Sequence, residues 1–384
     1  MPNIAYARPL PGRVKVFLPG IIHIERVCTL NARADGGGGA FVSHTRGFLE
    51  RVWQIMDSLA AAFTVFVISA IFIIFAGMAL AKYGDEIAEK TGWGTLWVGT
   101  ILISVSTSLP ELVVNIDAVW IEKSPGLALG NVFGANMINI FVIGVVALVF
   151  GIRNLFGNQG RETQILVQTG IGLVALAAVV AATGDFRLGP SSVGGLLVGV
   201  AYILGMRAVY NAGRAEAGAA VAEEAPKGSP RNAFIGFAVA SLVVIVAGHF
   251  LAASSDDIAK LSGISASFIG VLLVSLVTTL PEGTVTIAAC FRKSYGIAIG
   301  NVYGSCAFNV FVITIAGLFH DGPLLRAMEP AHYVAAAGAF LLMTMGFFVI
   351  KSCQTAAMSL ARVLTPAIPV VYLVALYLVY DMAK

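Results

Sequence analysis

From residue 58 onward the chain alternates between long apolar runs and short polar breaks. The runs cover 58–82, 94–118, 126–149, 164–183, 190–210, 232–254, 264–289, 296–319, 332–350 and 362–380. Each is close to the ~20 apolar residues that carry a helix across a bilayer. The pattern predicts ten transmembrane helices. One polar break is long: 211–231, NAGRAEAGAAVAEEAPKGSPR, whose Ala, Gly, Glu and Pro content predicts a flexible linker and no folded domain. It divides the spans into two groups of five, a first membrane unit over 58–210 and a second over 232–384. The expected fold class is an all-α polytopic membrane protein.

The two groups are copies of each other. GMALAKYGDEIAEKTG (77–92) aligns with GHFLAASSDDIAKLSG (248–263) at seven identities in sixteen. SVSTSLPELVVNI (104–116) aligns with SLVTTLPEGTVTI (275–287) at seven in thirteen, and LGNVFGANMINIFVI (129–143) with IGNVYGSCAFNVFVI (299–313) at eight in fifteen. The offset is 171 residues in the first two pairs and 170 in the third. Shared hydrophobicity alone does not place LPE and GNV at a fixed offset, so this is an internal repeat. Five spans is an odd number. The second copy therefore enters the membrane from the opposite side, giving two inverted five-helix repeats, an architecture of secondary transporters with the substrate site at mid-membrane.

Composition agrees with the spans. Of 384 residues, 58% are hydrophobic and 12% charged, with a mean hydropathy of +0.87. A soluble domain carries about 25% charged residues. The bilayer is thus an expected partner, and a net charge of +3 gives no reason to expect nucleic acid. Cys28, Cys290, Cys306 and Cys353 form no CxxC pair, and the five histidines show no metal spacing. There is no Walker A loop, GxSxG or GxGxxG, so no cofactor and no enzyme activity are expected.

Residues 1–57 differ from the rest, with seven Lys/Arg, a GGGG run at 36–39 and no apolar run of signal-peptide quality. They read either as a mobile tail or as residues ahead of an alternative start at Met56. With the N-terminus outside, the loops facing inward hold twelve Lys/Arg and the outward segments five. The positive-inside rule then places the N-terminus outside and the linker in the cytoplasm of a cell membrane. The basic tail opposes this.

Candidate chemistry sits inside the spans. Glu111 and Glu282 each follow a proline in an apolar helix, where a charge costs about 2.5–3.5 kcal/mol on insertion scales. Thr107 and Ser108 precede Glu111 by four and three residues, as Thr278 and Thr279 precede Glu282. Residues three and four apart share a helix face, so each glutamate is expected to have two hydroxyls on its own side. Pro110 and Pro281 free carbonyls one turn back. Carboxylate, hydroxyl and carbonyl form an all-oxygen set suited to hard cations such as Ca²⁺ and Na⁺. Asn131, Ala135 and Asn139 share one helix face, as do Asn301, Ser305 and Asn309. Asn131 and Asn301 read as helix–helix glue, and Asn139 and Asn309 as ligands. No Lys or Arg lies inside a central span to pair with the glutamates. Asp117 reads as a solvated helix end, Asp85, Glu86, Asp256 and Asp257 as loop charges, and His249 as packed.

The paired blocks STSLPE…GNVFGANMIN and VTTLPE…GNVYGSCAFN resemble the α-repeats of the sodium/calcium exchanger family of cation/calcium antiporters, over about residues 58–380. The resemblance implies ions bound by the second and third helices of each half. It nominates Thr107, Ser108, Glu111 and Asn139 from the first repeat, and Thr278, Thr279, Glu282, Ser305 and Asn309 from the second. It implies exchange of Na⁺ for Ca²⁺ by sliding of the first and sixth helices, with the ions as cargo and a monomer sufficient. Three positions depart from the pattern: Ala135 for the usual Ser, Cys306 for Asn, and Asn309 where some relatives have Asp. Ala135 leaves H⁺ or K⁺ coupling open. A cation channel is the reading from another class, since acidic side chains also line channels.

Overall fold

The helices of the computed structural model begin where the apolar runs begin. It describes residues 59–121, 123–189, 191–219, 229–261, 275–355 and 358–382. The first repeat comprises α1 (Leu59–Thr91), α2 (Thr95–Thr107), α3 (Leu109–Trp120), α4 (Pro125–Phe150), the short α5 (Ile152–Phe156), α6 (Arg161–Thr183) and α7 (Val193–Ala219). A two-residue hairpin, β1 (Arg187–Leu188) with β2 (Ser191–Ser192), joins α6 to α7. The second comprises α8 (Arg231–Leu261), α9 (Leu280–Phe291), α10 (Tyr295–Gly317), α11 (Pro330–Gln354) and α12 (Met358–Met382). Among the described residues eight helices are long and apolar enough to span a bilayer, and α2 with α3, bent by 43°, makes a ninth. The span expected at 264–289 lies partly outside the described residues. Its described portion is a helical turn at 275–278 followed by α9. The tail 1–57 and linker residues 220–228 also lie outside.

The repeats are inverted. Trp93, just past the end of α1, meets Phe234 at the start of α8, with ring centroids 6.3 Å apart. These two helices therefore run in opposite directions along each other. Trp120 at the end of α3 meets Phe319 just past α10, and Phe150 at the end of α4 meets Phe291 at the end of α9. Equivalent helices of the two repeats thus end at opposite faces. The face where α7 ends and α8 begins is called the linker face below.

Burial sorts the helices into core and periphery. Of the most apolar stretch of α10, 89% is buried, against 22% for α1 and α12, which turn Phe63, Val67, Phe75, Val363, Val370 and Leu373 outward. Such an apolar exterior suits lipid and not water. α10 can sit deep because its glycines admit the backbone of α2. A Cβ on Gly300 would stand 2.9 Å from the Thr100 N, and one on Gly99 2.7 Å from the Ile297 O. At this contact α2 widens into a π-helix over Val98–Ile103, a feature often found at functional sites.

Two expectations need correction. α1 runs to Thr91 and α8 to Leu261, well past 82 and 254, so Asp85, Glu86, Asp256 and Asp257 are helical and not loop charges. Asp85 accepts hydrogen bonds from Arg292 Nε and Ser294 Oγ, and Glu86 pairs with Lys90 one turn on. These partners replace the water that a loop would have offered. Asp85 thereby ties the end of α1 to the α9–α10 turn. In a double-mutant cycle on thermal unfolding, Asp85→Asn and Arg292→Gln are expected to couple by about 1 kcal/mol. Independent, additive effects would show that the contact carries no stability.

Candidate ion-binding site

The site forms where two helices break. At Ser108 the backbone leaves helical geometry (φ −92°, ψ 9°), and Pro110 occupies the first turn of α3. Thr279 (φ −81°, ψ 1°) and Pro281 repeat this before α9. A proline is tolerated in a first turn because its missing N–H has no helical partner to lose there. Glu111 and Glu282 therefore start the new helices and are fully enclosed: their exposures are 1% and 0%.

The break redirects the hydroxyls. Ser108 Oγ donates to Glu282 Oε1 at 2.7 Å and lies 3.0 Å from Ser305 Oγ. Ser305 Oγ reaches the same carboxylate oxygen at 3.4 Å. Ser108 thus serves the glutamate of the other repeat, and the own-side pairing expected from i−3 and i−4 spacing fails because no continuous helix joins Ser108 to Glu111. Thr278 likewise lies beside Glu111 of the first repeat. Thr107 Oγ1 is 3.2 Å from Asn301 Oδ1, also across the repeats. Thr279 does not cross: its hydroxyl donates to the Ser275 carbonyl at 2.7 Å.

Asn301 and Asn131 hold helices together, whereas Asn309 keeps a free amide oxygen. Asn301 Nδ2 donates to the Glu282 carbonyl at 3.0 Å and to Thr286 Oγ1 at 3.1 Å, and is fully engaged in holding helices together. Asn131 Oδ1 accepts from Ser275 at 3.1 Å, again between helices. Asn309 Nδ2 donates to Asn136 Oδ1 at 3.3 Å, and its Oδ1 has no partner. Asn136 Nδ2 in turn donates to the Cys306 carbonyl at 3.1 Å, while Cys306 Sγ faces the Asn136 carbonyl at 3.9 Å. Asn136 and Cys306 are repeat-equivalents, so this is where the pseudo-two-fold axis passes between α4 and α10.

The remaining polarity is concentrated. Ten buried side-chain N and O atoms lack a hydrogen bond among the described residues, and five of them are Glu111 Oε1 and Oε2, Glu282 Oε2, Asn139 Nδ2 and Asn309 Oδ1. Four of those five are acceptors. No lysine or arginine is buried among the described residues. An unsatisfied buried polar group costs about 1–3 kcal/mol, and more when charged. Oxygen lone pairs without donors, beside hydroxyls whose protons already go to backbone carbonyls, are what a hard cation coordinates. No cluster of three His, Cys, Asp or Glu side chains occurs among the described residues. The set is therefore two carboxylates with hydroxyl and amide oxygens.

The sequence model of the family described as sodium/calcium exchanger protein matches residues 61–210 and 232–382. The chain belongs to that family. It is a multi-pass membrane transporter. Among curated proteins it is 25% identical over 292 residues to the sodium/calcium exchanger MaX1 of Methanosarcina acetivorans, covering 67% of this chain and 83% of that one. It is 23% identical over 295 residues to the inner membrane protein YrbG of Escherichia coli, covering 74% and 87%. Among solved structures it superposes on the sodium-calcium exchanger NCX_Mj soaked with Na⁺ and Sr²⁺ with a TM-score of 0.64 at 21% identity. That match covers 83% of this chain and 99% of that one.

Of the nine residues nominated by likeness to the exchanger family, Ser108, Glu282 and Ser305 are joined directly by hydrogen bonds. Thr278 stands by Glu111, and Asn139 and Asn309 offer unpaired amide atoms. Thr107 and Thr279 donate to carbonyls one turn back, which leaves their lone pairs available. Ala135 is fully buried where Ser305 stands in the other repeat, and Glu111 has no donor on either oxygen. Spacing alone does not single out Asn136, Ser275 or Asn115. Asn115 caps the Glu111 carbonyl at 2.7 Å from one turn on, a placement that its i+4 spacing allows.

Proposed function

We propose that the protein is a secondary active antiporter that moves Ca²⁺ against Na⁺ by alternating access, at a mid-membrane site formed by Glu111 and Glu282. The observation that carries this is a pair of fully buried carboxylates, one from each inverted repeat, with unpaired oxygens and no basic partner. Two facing carboxylates are neutralised by one Ca²⁺ or by two Na⁺, so the same oxygens serve either cargo in turn. Ser108, Ser305, Thr107, Thr278, Thr279, Asn139 and Asn309 complete the coordination. The protein lies in a cell membrane with its N-terminus outside and its linker in the cytoplasm, and functions as a monomer without a cofactor. A closed site with two carboxylates favours stoichiometric exchange over a channel.

The moving pair in this reading is α1 with α8. Gly248 on α8 packs on Pro110, where a Cβ would stand 2.7 Å from the ring Cγ. Its repeat-equivalent, Gly77 on α1, packs on Thr284, three residues beyond Pro281, the equivalent of Pro110. One helical turn thus separates two otherwise equivalent contacts, the asymmetry that an inverted repeat carries in a state open to one face. Gly248→Ala is expected to slow exchange about tenfold while equilibrium Ca²⁺ binding changes less than twofold. A parallel loss of binding would mean that the glycine only supports the fold.

Ca²⁺ uptake into Na⁺-loaded proteoliposomes, with external Na⁺, K⁺ and pH varied in turn, tests the coupling ion. Uptake driven by the Na⁺ gradient is expected. Uptake that ignores Na⁺ and follows pH or K⁺ would favour the second reading, which Ala135 motivates by removing a hydroxyl from the Glu111 side. Ala135→Ser then restores that ligand and is expected to raise apparent Na⁺ affinity several-fold, about the value of one hydrogen bond or coordinating oxygen. An unchanged Na⁺ dependence in Ala135→Ser would remove position 135 from the site.

A further inference from the structure

At the linker face the α5–α6 and α9–α10 turns and the start of α2 line a solvent-open cavity of about 570 Å³, with Arg153 and Lys293 exposed on its wall. Its wall includes Thr95, Arg153, Asn158, Glu162, Lys293 and Ser294, and neither Glu111 nor Glu282 reaches it. Arg153 comes from the first repeat and Lys293 from the second, and neither makes an ion pair among the described residues. Other turn cations do: Arg292, next to Lys293, is held by Asp85, and Lys123, the repeat-equivalent of Lys293 at the opposite face, by Asp321. Glu162 is the one acid in the wall.

The backbone adds to the positive potential. α6 and α10 both begin at this wall, at Gly160 and Ser294, and neither N-terminus has a side-chain cap. The Ser294 hydroxyl, a natural cap, is turned to Asp85 instead. First-turn N–H groups and the positive end of each helix dipole are therefore presented to the cavity. Lys293 holds a left-handed backbone (φ 61°), a conformation that glycine adopts with less strain. Keeping lysine there places an ammonium group at the wall.

We propose that this cavity binds a phosphate group, gripped by the Arg153 guanidinium and the Lys293 ammonium and seated on the N-termini of α6 and α10. Arginine suits the paired oxygens of a phosphate, and lysine adds a point charge. The volume exceeds that of phosphate alone and admits the headgroup that carries it. The phosphate comes either from an anionic phospholipid of the adjacent leaflet or from solution. The site bridges the two repeats and does not depend on which cations are exchanged.

Thermal unfolding of the purified full chain in neutral detergent tests this, with Na⁺ and Ca²⁺ held constant. The additions are inorganic phosphate with choline as the counter-ion against choline chloride at equal ionic strength, and short-chain phosphatidylglycerol against short-chain phosphatidylcholine. A saturable upward shift with inorganic phosphate or phosphatidylglycerol is expected. A shift with both, or with phosphate alone, assigns the group itself; one with phosphatidylglycerol alone assigns the leaflet as source. Arg153→Gln and Lys293→Gly are each expected to weaken the apparent affinity about tenfold or more. Lys293→Gly also relaxes the left-handed backbone, so it removes the charge without loading the fold. No shift from either additive, or equal shifts in wild type and in both variants, overturns the proposal.

Discussion

Glu111→Gln and Glu282→Gln are each expected to abolish cation exchange in proteoliposomes while leaving the protein folded. Glutamine keeps the shape of glutamate and can accept the Ser108 hydrogen bond that now ends on Glu282 Oε1. What it removes is one of two charges that no lysine or arginine offsets. Breaking a buried charge pair costs about 3–5 kcal/mol, which corresponds to ~10²–10⁴-fold in affinity for the cation that completes it. A carboxylate buried without a cationic partner also costs free energy in the empty site. Either variant should therefore unfold at a higher temperature than wild type in the absence of ions, and should lose the stabilisation that Ca²⁺ gives wild type. Calcium uptake and thermal unfolding measured on the same preparations check both halves. Exchange within tenfold of wild type in either variant would take that glutamate out of the ion site.

Much of this arrangement was legible in the sequence because a bilayer leaves few options. Apolar runs of about 20 residues fix the spans, and an odd number of spans per repeat fixes the inversion. Glu111 and Glu282 stood out because charge is rare at that depth. The helix ends were less legible. Asp85 and Glu86 look like loop residues until Arg292, Ser294 and Lys90 are seen to engage them, which lets α1 continue to Thr91. Side-chain direction at the breaks was not legible at all. Spacing rules assume a continuous helix, and Ser108 sits at the one residue where that assumption fails. Asn136 was hidden for another reason. Its role depends on meeting Cys306 across the pseudo-two-fold axis, and only the repeat alignment, which pairs 136 with 306, hints that they meet.

Ser108→Ala is expected to impair exchange far more than Thr279→Val, although the two positions are equivalent in the repeat. Ser108 Oγ donates to Glu282 Oε1 at 2.7 Å and stands 3.0 Å from Ser305 Oγ, so it links both repeats at the carboxylate. A hydrogen bond to a charged group contributes about 1.5–3 kcal/mol, so its loss corresponds to ~10–150-fold in the affinity of the state that uses it. Thr279 Oγ1 donates to Ser275 O at 2.7 Å and makes no hydrogen bond to either carboxylate among the described residues. Its loss in this state removes a helix contact of ordinary strength, about 1 kcal/mol. Under the alternating access proposed above, the opposite-facing state is expected to exchange the two roles and bring Thr279 beside Glu111. The difference between the variants must then depend on the side from which Ca²⁺ is offered. Initial uptake rates in right-side-out and inside-out vesicles separate the two: Ser108→Ala raises the apparent Km for Ca²⁺ mainly at one face, and Thr279→Val mainly at the other. Equal effects of both variants at both faces would mean that the hydroxyl bridge does not alternate, and that the asymmetry around Ala135 and Ser305 is fixed in the fold.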